Sequence, residues 1–110
     1  MELTRSEDGK HLVLAIAGKC TVEHAAALRE ALLEAVSEAR PLALDISDVA
    51  DADITFLQLL LATALTLDRD GRTLRRRGPV SEAARQAARV SGFDSTPVLA
   101  TFFADGEGNG

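Results

Sequence analysis

Apolar positions along this chain switch between a continuous, strand-like pattern and a helical one. His11-Leu12-Val13-Leu14-Ala15-Ile16-Ala17 is nearly all apolar. A run this short and this continuous reads as a strand buried on both faces, and Gly18 ends it. Residues 1–5 form an opening edge strand. Ser6–Lys10 is the turn between them, with Asp8-Gly9 as its hairpin dipeptide. From Val22 to Glu38 the period changes. Ala25, Leu28, Leu32 and Val36 recur at helical spacing, while Arg29, Glu30, Glu34 and Ser37 take the other side. Thr21 is the expected N-cap of this helix, and Glu23 complements the dipole in its first turn.

Arg40-Pro41 closes the helix, because the residue before a proline is pushed out of the helical region. Leu42 to Ile46 is the next strand, followed by an acidic loop, Ser47–Asp53, and a helix from Ile54 to Asp68. In that helix Leu57, Leu60, Leu61, Ala64 and Leu67 point one way. Thr55, Gln58, Ala62, Thr66 and Arg69 form a small, polar stripe opposite them, bordered by Leu59 and Leu65. Such a stripe suits docking better than chemistry. Asp70-Gly71 is a turn and Arg72–Arg77 a third strand, with Thr73 and the basic residues exposed. Gly78-Pro79 leads into a helix from Ser81 to Val90, capped by Ser81 and stopped by Gly92. Pro97 to Phe103 is a last apolar segment, strand or helix, and residues 105–110 read as a disordered tail.

Strands alternating with helices specify the α/β class: one domain over residues 1–104, with a mostly parallel sheet of about four strands flanked by helices. The two long helices supply the crossovers that parallel pairing requires.

Composition narrows the function. With 46% hydrophobic and 26% charged residues, the chain is an ordinary globular protein. Its net charge of −5 argues against a nucleic-acid binder, and without Trp or Tyr it lacks a stacking platform for bases. Arg69, Arg72, Arg75, Arg76 and Arg77 run against that trend, either as a solvated sheet edge or as a patch for an acidic partner. The lone Cys20 permits no intrachain disulfide and, in the turn before the helix, reads as a small hydrophobe. His11 reads as an edge residue and His24 as solvent-facing. No apolar run approaches membrane-span length and the N-terminus lacks a signal-peptide layout, so a cytoplasmic protein is expected.

Chemistry, if present, belongs at the strand-to-helix junction, where Asp48, Asp51, Asp53 and Thr55 gather. Three aspartates invite a magnesium site of the phosphoryl-acceptor kind, but no lysine follows Lys19 to complete one. A solvated acidic loop accounts for them more simply. Asp53, preceding Ile54, is placed to cap the helix by accepting from the N–H of Thr55 or Phe56. No nucleophile elbow, phosphate-cradling glycine loop or zinc-protease motif occurs. No metal, cofactor or catalytic residue is expected, and the chain does not read as an enzyme.

From about Leu12 to Phe93 the chain resembles the STAS family, the fold of anti-sigma-factor antagonists and of the cytoplasmic ends of sulfate transporters. Four pieces in order carry the resemblance. Leu44-Asp45-Ile46-Ser47-Asp48-Val49 with Asp53 and Leu57-Gln58-Leu59-Leu60 corresponds to the family's strand ending in Asp-Leu-Ser and its Asp-Ser-Ser/Thr-Gly-Leu helix start. Gly18-Lys19-Cys20-Thr21 stands at its Gly-Glu-Leu-Asp turn. Gly78-Pro79 and then Ser91-Gly92-Phe93 match its final unit. The resemblance implies a bacterial regulatory module of the antagonist type that binds a kinase-like anti-sigma factor or another signalling protein. In that family the residue after the loop aspartate is the phosphorylated hydroxyl. Here it is Ile54, the next residue is Thr55, and the usual glycine is Phe56. Thr55 is therefore the phosphoacceptor candidate, and Asp48, Asp51, Asp53, Ile54, Phe56 and Gln58 the expected partner interface. The Leu57–Leu60 run also resembles the small subunit that docks on the ATPase of phospholipid-trafficking ABC transporters, and a chemotaxis-associated relative without the phosphoswitch.

Overall fold

The computed structural model describes residues 1–104, so the expected tail at 105–110 lies outside the described residues. The strands are β1 (Glu2–Asp8), β2 (His11–Cys20), β3 (Leu42–Ala52) and β4 (Arg75–Arg76). The helices are α1 (Ala25–Ser37), α2 (Ile54–Arg69), α3 (Glu82–Ser91) and α4 (Pro97–Ala100), with 3₁₀ turns at Val22–His24 and Phe93–Ser95. The sheet order is β1-β2-β3-β4, antiparallel between β1 and β2 and parallel thereafter. Stepping the same way across the sheet with right-handed crossovers puts α1 and α2 on one face.

Strand register explains which side chains make the core. Leu12 lies opposite Leu42, and Leu14 opposite Leu44. These leucines, with Ile16 and Ile46, form one cluster with the buried residues of all four helices. Val13 and Ala43, on the sheet's other face, are buried but outside that cluster. Ala15 and Ala17 on that face are only half-buried. β2 thus buries its second face fully only at Val13 and half-buries it at Ala15 and Ala17, a correction to the expectation of a strand buried on both faces.

The acidic loop expected at Ser47–Asp53 is instead strand as far as Ala52. β3 runs on to Ala52 because it absorbs extra residues as bulges. Between Ala15 and Ala17 of β2 the partner advances from Asp45 to Asp48, and between Gly18 and Lys19 it advances from Val49 to Asp51. At the first bulge the Asp45 carboxylate compensates locally. Its Oδ1 accepts from the Ser47 backbone N–H at 3.0 Å and from the Ser47 hydroxyl at 2.6 Å. The bulges break the two-residue alternation after Ile46, which makes the stretch read as loop. β2 likewise continues past Gly18, whose φ of +85° supplies a kink without ending the strand.

Other boundaries moved as well. The third parallel strand shrinks to Arg75–Arg76. The apolar C-terminal segment resolves as helix α4, opened by Pro97 and burying Leu99, with Phe102 and Phe103 packed edge-to-face at 5.1 Å beyond it. Ser81 caps α3 through the Ala84 N–H at 3.1 Å, and Gly92 ends it with a left-handed φ of 81°.

Candidate functional site

The strand-to-helix junction ends in a single carboxylate shared by two helices. β3 and α2 are separated only by Asp53, which is extended and serves as the N-cap. Asp53 Oδ1 accepts from the Phe56 N–H at 3.2 Å, satisfying one of α2's orphan donors. Asp53 Oδ2 accepts from the Val22 N–H at 2.9 Å, at the start of the 3₁₀ turn that leads into α1. The expected cap at Thr21 makes no side-chain bond. Asp53 performs that role from the neighbouring unit and brings the N-terminal ends of α1 and α2 side by side.

Two apolar side chains stand out of this corner. Ile54 is 52% exposed and Val22 65% exposed. Val22 falls in helical phase with Ala25 and Leu28, so periodicity assigns it to the buried side. The tighter 3₁₀ winding at Val22–His24 breaks that phase and leaves it outside. No sequence signal distinguishes this from an ordinary α-helical start. His24, expected in solvent, is half-buried.

The remaining candidates divide. Gln58 is exposed on the next turn of α2, and Asp48 and Asp51 are exposed on β3. Thr55 is half-buried. Phe56 corrects the expected interface: at 1% exposed it is among the largest fully buried side chains, so it anchors α2 in the core and takes no part in the surface. The polar stripe on α2 is partly closed on itself, since Thr66 Oγ1 donates to the Ala62 carbonyl. Among the described residues no three His, Cys, Asp or Glu side chains come together as a metal site.

Cys20 lies buried beneath the corner at the end of β2. Burial pushes its thiol above the ordinary value of 9.0. The chain's N-terminal amine works against that rise, and the charges of Asp51 and Asp53 add to it. The thiol donates to the Gly18 carbonyl at 3.6 Å.

The arginine cluster is mostly structural. Arg72 donates to the carbonyls of Val36 (3.3 Å) and Arg40 (2.7 Å), holding the end of α1. Arg76 donates to the Ala104 carbonyl at 2.8 Å, and Arg77 pairs with Asp8 at 2.6 Å, joining the two edges of the sheet. Arg69 and Arg75 are exposed. Among the described residues no helix is long and apolar enough to cross a membrane.

Comparison with known proteins places this geometry. A family model described as "Mlab, STAS domain" matches residues 3–101. No curated protein matches. Among solved structures, an anti-sigma factor antagonist from Mycobacterium paratuberculosis superposes with a TM-score of 0.72 at 23% identity, covering 94% of each chain. A putative anti-sigma factor antagonist from Thermotoga maritima gives 0.73 at 14% identity over 84% of this chain and 80% of its own. The Bacillus cell-fate determinant SpoIIAA in its phosphorylated form gives 0.64 at 14% identity over 86% of each. At these identities the likeness is one of fold.

Proposed function

The chain belongs to the STAS family, and we propose that it is a non-catalytic regulatory module of the anti-sigma-factor-antagonist type, docking a signalling protein on the α1–α2 corner. The observation that carries this reading is the pair of exposed apolar residues, Val22 and Ile54, on either side of a carboxylate already committed to the fold. Isolated exposed apolar residues are ordinary. Two of them, on helix starts tied together by one side chain, make a rigid apolar spot. Asp48, Asp51 and Gln58 add exposed polar groups from the adjoining strand and helix. Burying an apolar centre inside a polar surround is how docking surfaces gain affinity.

Thr55 is the hydroxyl through which phosphorylation acts in this reading. A phosphate there adds close to two negative charges, as estimated for phosphothreonine at neutral pH, beside Asp53 and at the centre of the surface. The complex would then dissociate.

A second reading comes from the family description and from Ile54. An apolar residue in the position directly after the capping aspartate suits a permanent docking piece, such as the small subunit on the ATPase of a phospholipid-transporting ABC system, with no phosphoswitch. Affinity capture from the native cell with intact-mass measurement separates the two. A kinase-like partner and a phosphate mass on Thr55 support the switch; a transporter ATPase with unmodified chain supports the second reading. Undiminished capture by an Ile54→Asp variant overturns the surface common to both.

A further inference from the structure

β1 forms one edge of the sheet and is seven residues long, against two for β4 at the other edge. Its hairpin fixes which backbone groups it leaves unpaired. Asp8 and His11 close a loop of Gly9-Lys10, with Gly9 at a φ of +63° that suits a primed turn. Such a closing pair exchanges both backbone hydrogen bonds, and bonded pairs then alternate along the antiparallel ladder. Asp8, Ser6, Thr4 and Glu2 therefore bond to β2. Leu3, Arg5 and Glu7 direct their N–H and C=O groups outward, and among the described residues no strand lies beside them.

The usual devices that blunt such an edge are few here. β1 pairs without a register shift, contains no proline or lysine, and is exposed at every position but Leu3. Its charges are mixed in sign, so they select a partner strand by its register. In-register parallel pairing with a second copy sets like charges together, and antiparallel pairing centred on Arg5 sets Arg5 against itself. Antiparallel pairing centred on Ser6 differs. Arg5 then faces Glu7 of the second copy, Glu7 faces its Arg5, and both residues turn their free backbone groups toward each other. The two side chains are already held by one ion-pair network. Arg5 pairs with Glu38 at 2.6 Å, and Arg40 reaches Glu7 at 3.3 Å and Glu38 at 3.5 Å.

We propose that β1 binds a second copy of this chain, strand to antiparallel strand about Ser6, joining two four-stranded sheets into one and linking their ion-pair networks through Arg5 and Glu7. Only residues 4–8 of each strand pair, so the contact belongs to the small, reversible class that buries less than about 1,200 Å². It is separate from the docking corner, because Ser6 lies opposite Val13 near the start of β2 and Val22 follows the end of that strand. The proposal therefore stands or falls independently of the function proposed above.

The test is sedimentation equilibrium of the full chain from about 10 µM to about 1 mM, where contacts of this size associate. A concentration-dependent dimer, weakened by salt, is expected. Arg5→Glu and Glu7→Arg should each weaken it about tenfold with circular dichroism unchanged. The double variant Arg5→Glu/Glu7→Arg should restore it, because the facing charges are opposite again. Ser6→Cys sets its thiol against its own copy and should cross-link under mild oxidation, whereas Thr4→Cys, which faces Asp8 of the second copy, should not; Cys20 is buried and takes no part. A chain that stays monomeric throughout would overturn the proposal and leave the edge to a strand of a different protein. A dimer indifferent to the single reversals, a double variant no tighter than they are, or Ser6→Cys that does not cross-link would overturn it equally.

Discussion

The Asp53 carboxylate receives the backbone N–H of Val22 from 31 residues earlier in the chain, at 2.9 Å, while its other oxygen caps its own helix at Phe56. One side chain thus performs two capping tasks at once. Replacing an N-cap aspartate by alanine typically costs about 0.5–2 kcal/mol, and here a tertiary bond goes with it. Asp53→Ala should lower unfolding stability by about 1–3 kcal/mol in urea titrations. Asp53→Asn keeps a single acceptor oxygen and should fall between. A loss for Asp53→Ala below about 0.5 kcal/mol, the scale of an ordinary surface change, would show that the shared cap contributes little.

Ile54 and Phe56 are two residues apart and should answer opposite questions. Ile54→Asp changes an exposed side chain, so circular dichroism and thermal midpoint should stay near those of the parent while partner binding is lost. Phe56→Ala opens a cavity beneath α2 and should cost about 3–5 kcal/mol. Parent-like stability in Phe56→Ala would contradict its place in the core.

Cys20 makes stability depend on alkaline pH. Its thiol ionises at higher pH in the folded chain than in the unfolded one. The unfolded state therefore releases its proton first. The associated stabilisation is complete below the ordinary value of 9.0 and is lost as pH rises from there through the folded-state value. Urea midpoints measured across that range should decline more steeply for the parent than for Cys20→Ala. A thiol reagent should label the native chain far more slowly than the urea-unfolded one.

Arg72 and Arg75 are three residues apart and read alike, yet their removal should differ. Arg72→Ala strips the two hydrogen bonds that hold the end of α1 and should destabilise by about 1–3 kcal/mol. Arg75→Ala, on an exposed side chain, should stay within about 0.5 kcal/mol of the parent. Equal losses would mean that the bonds to Val36 and Arg40 do not persist in solution.

Ala39 follows α1 with a left-handed φ of 56°. A non-glycine residue there carries strain of about 1–2 kcal/mol, and glycine relieves it at some cost in unfolded-state entropy. Ala39→Gly should raise stability by about 0.5–1 kcal/mol. A thermal midpoint that falls instead would rule out the left-handed turn.

Much of this protein was already determined by the order of its residues. The alternation of apolar strands and amphipathic helices specifies the α/β class and the parallel pairing. Local chemistry specifies the caps at Asp53 and Ser81 and the stop at Gly92, because each rests on bonds within a few residues. Tertiary structure decided the rest. The run from Ser47 to Ala52 became strand because β2 offered partners to a bulged β3, an advantage that the run's own acidic and small side chains do not display. Val22 turned outward because a carboxylate 31 residues away took its N–H and set the winding of that turn. Phe56 went inward because α2 is anchored at Asp53 in an orientation that points its third residue at the sheet. Arg72 became a helix cap through a contact 36 residues distant. Short-range periodicity reports which residues prefer to be buried. Which preferences are met depends on the packing of segments far apart in the chain, and the corner where α1 and α2 begin is made of such long-range contacts.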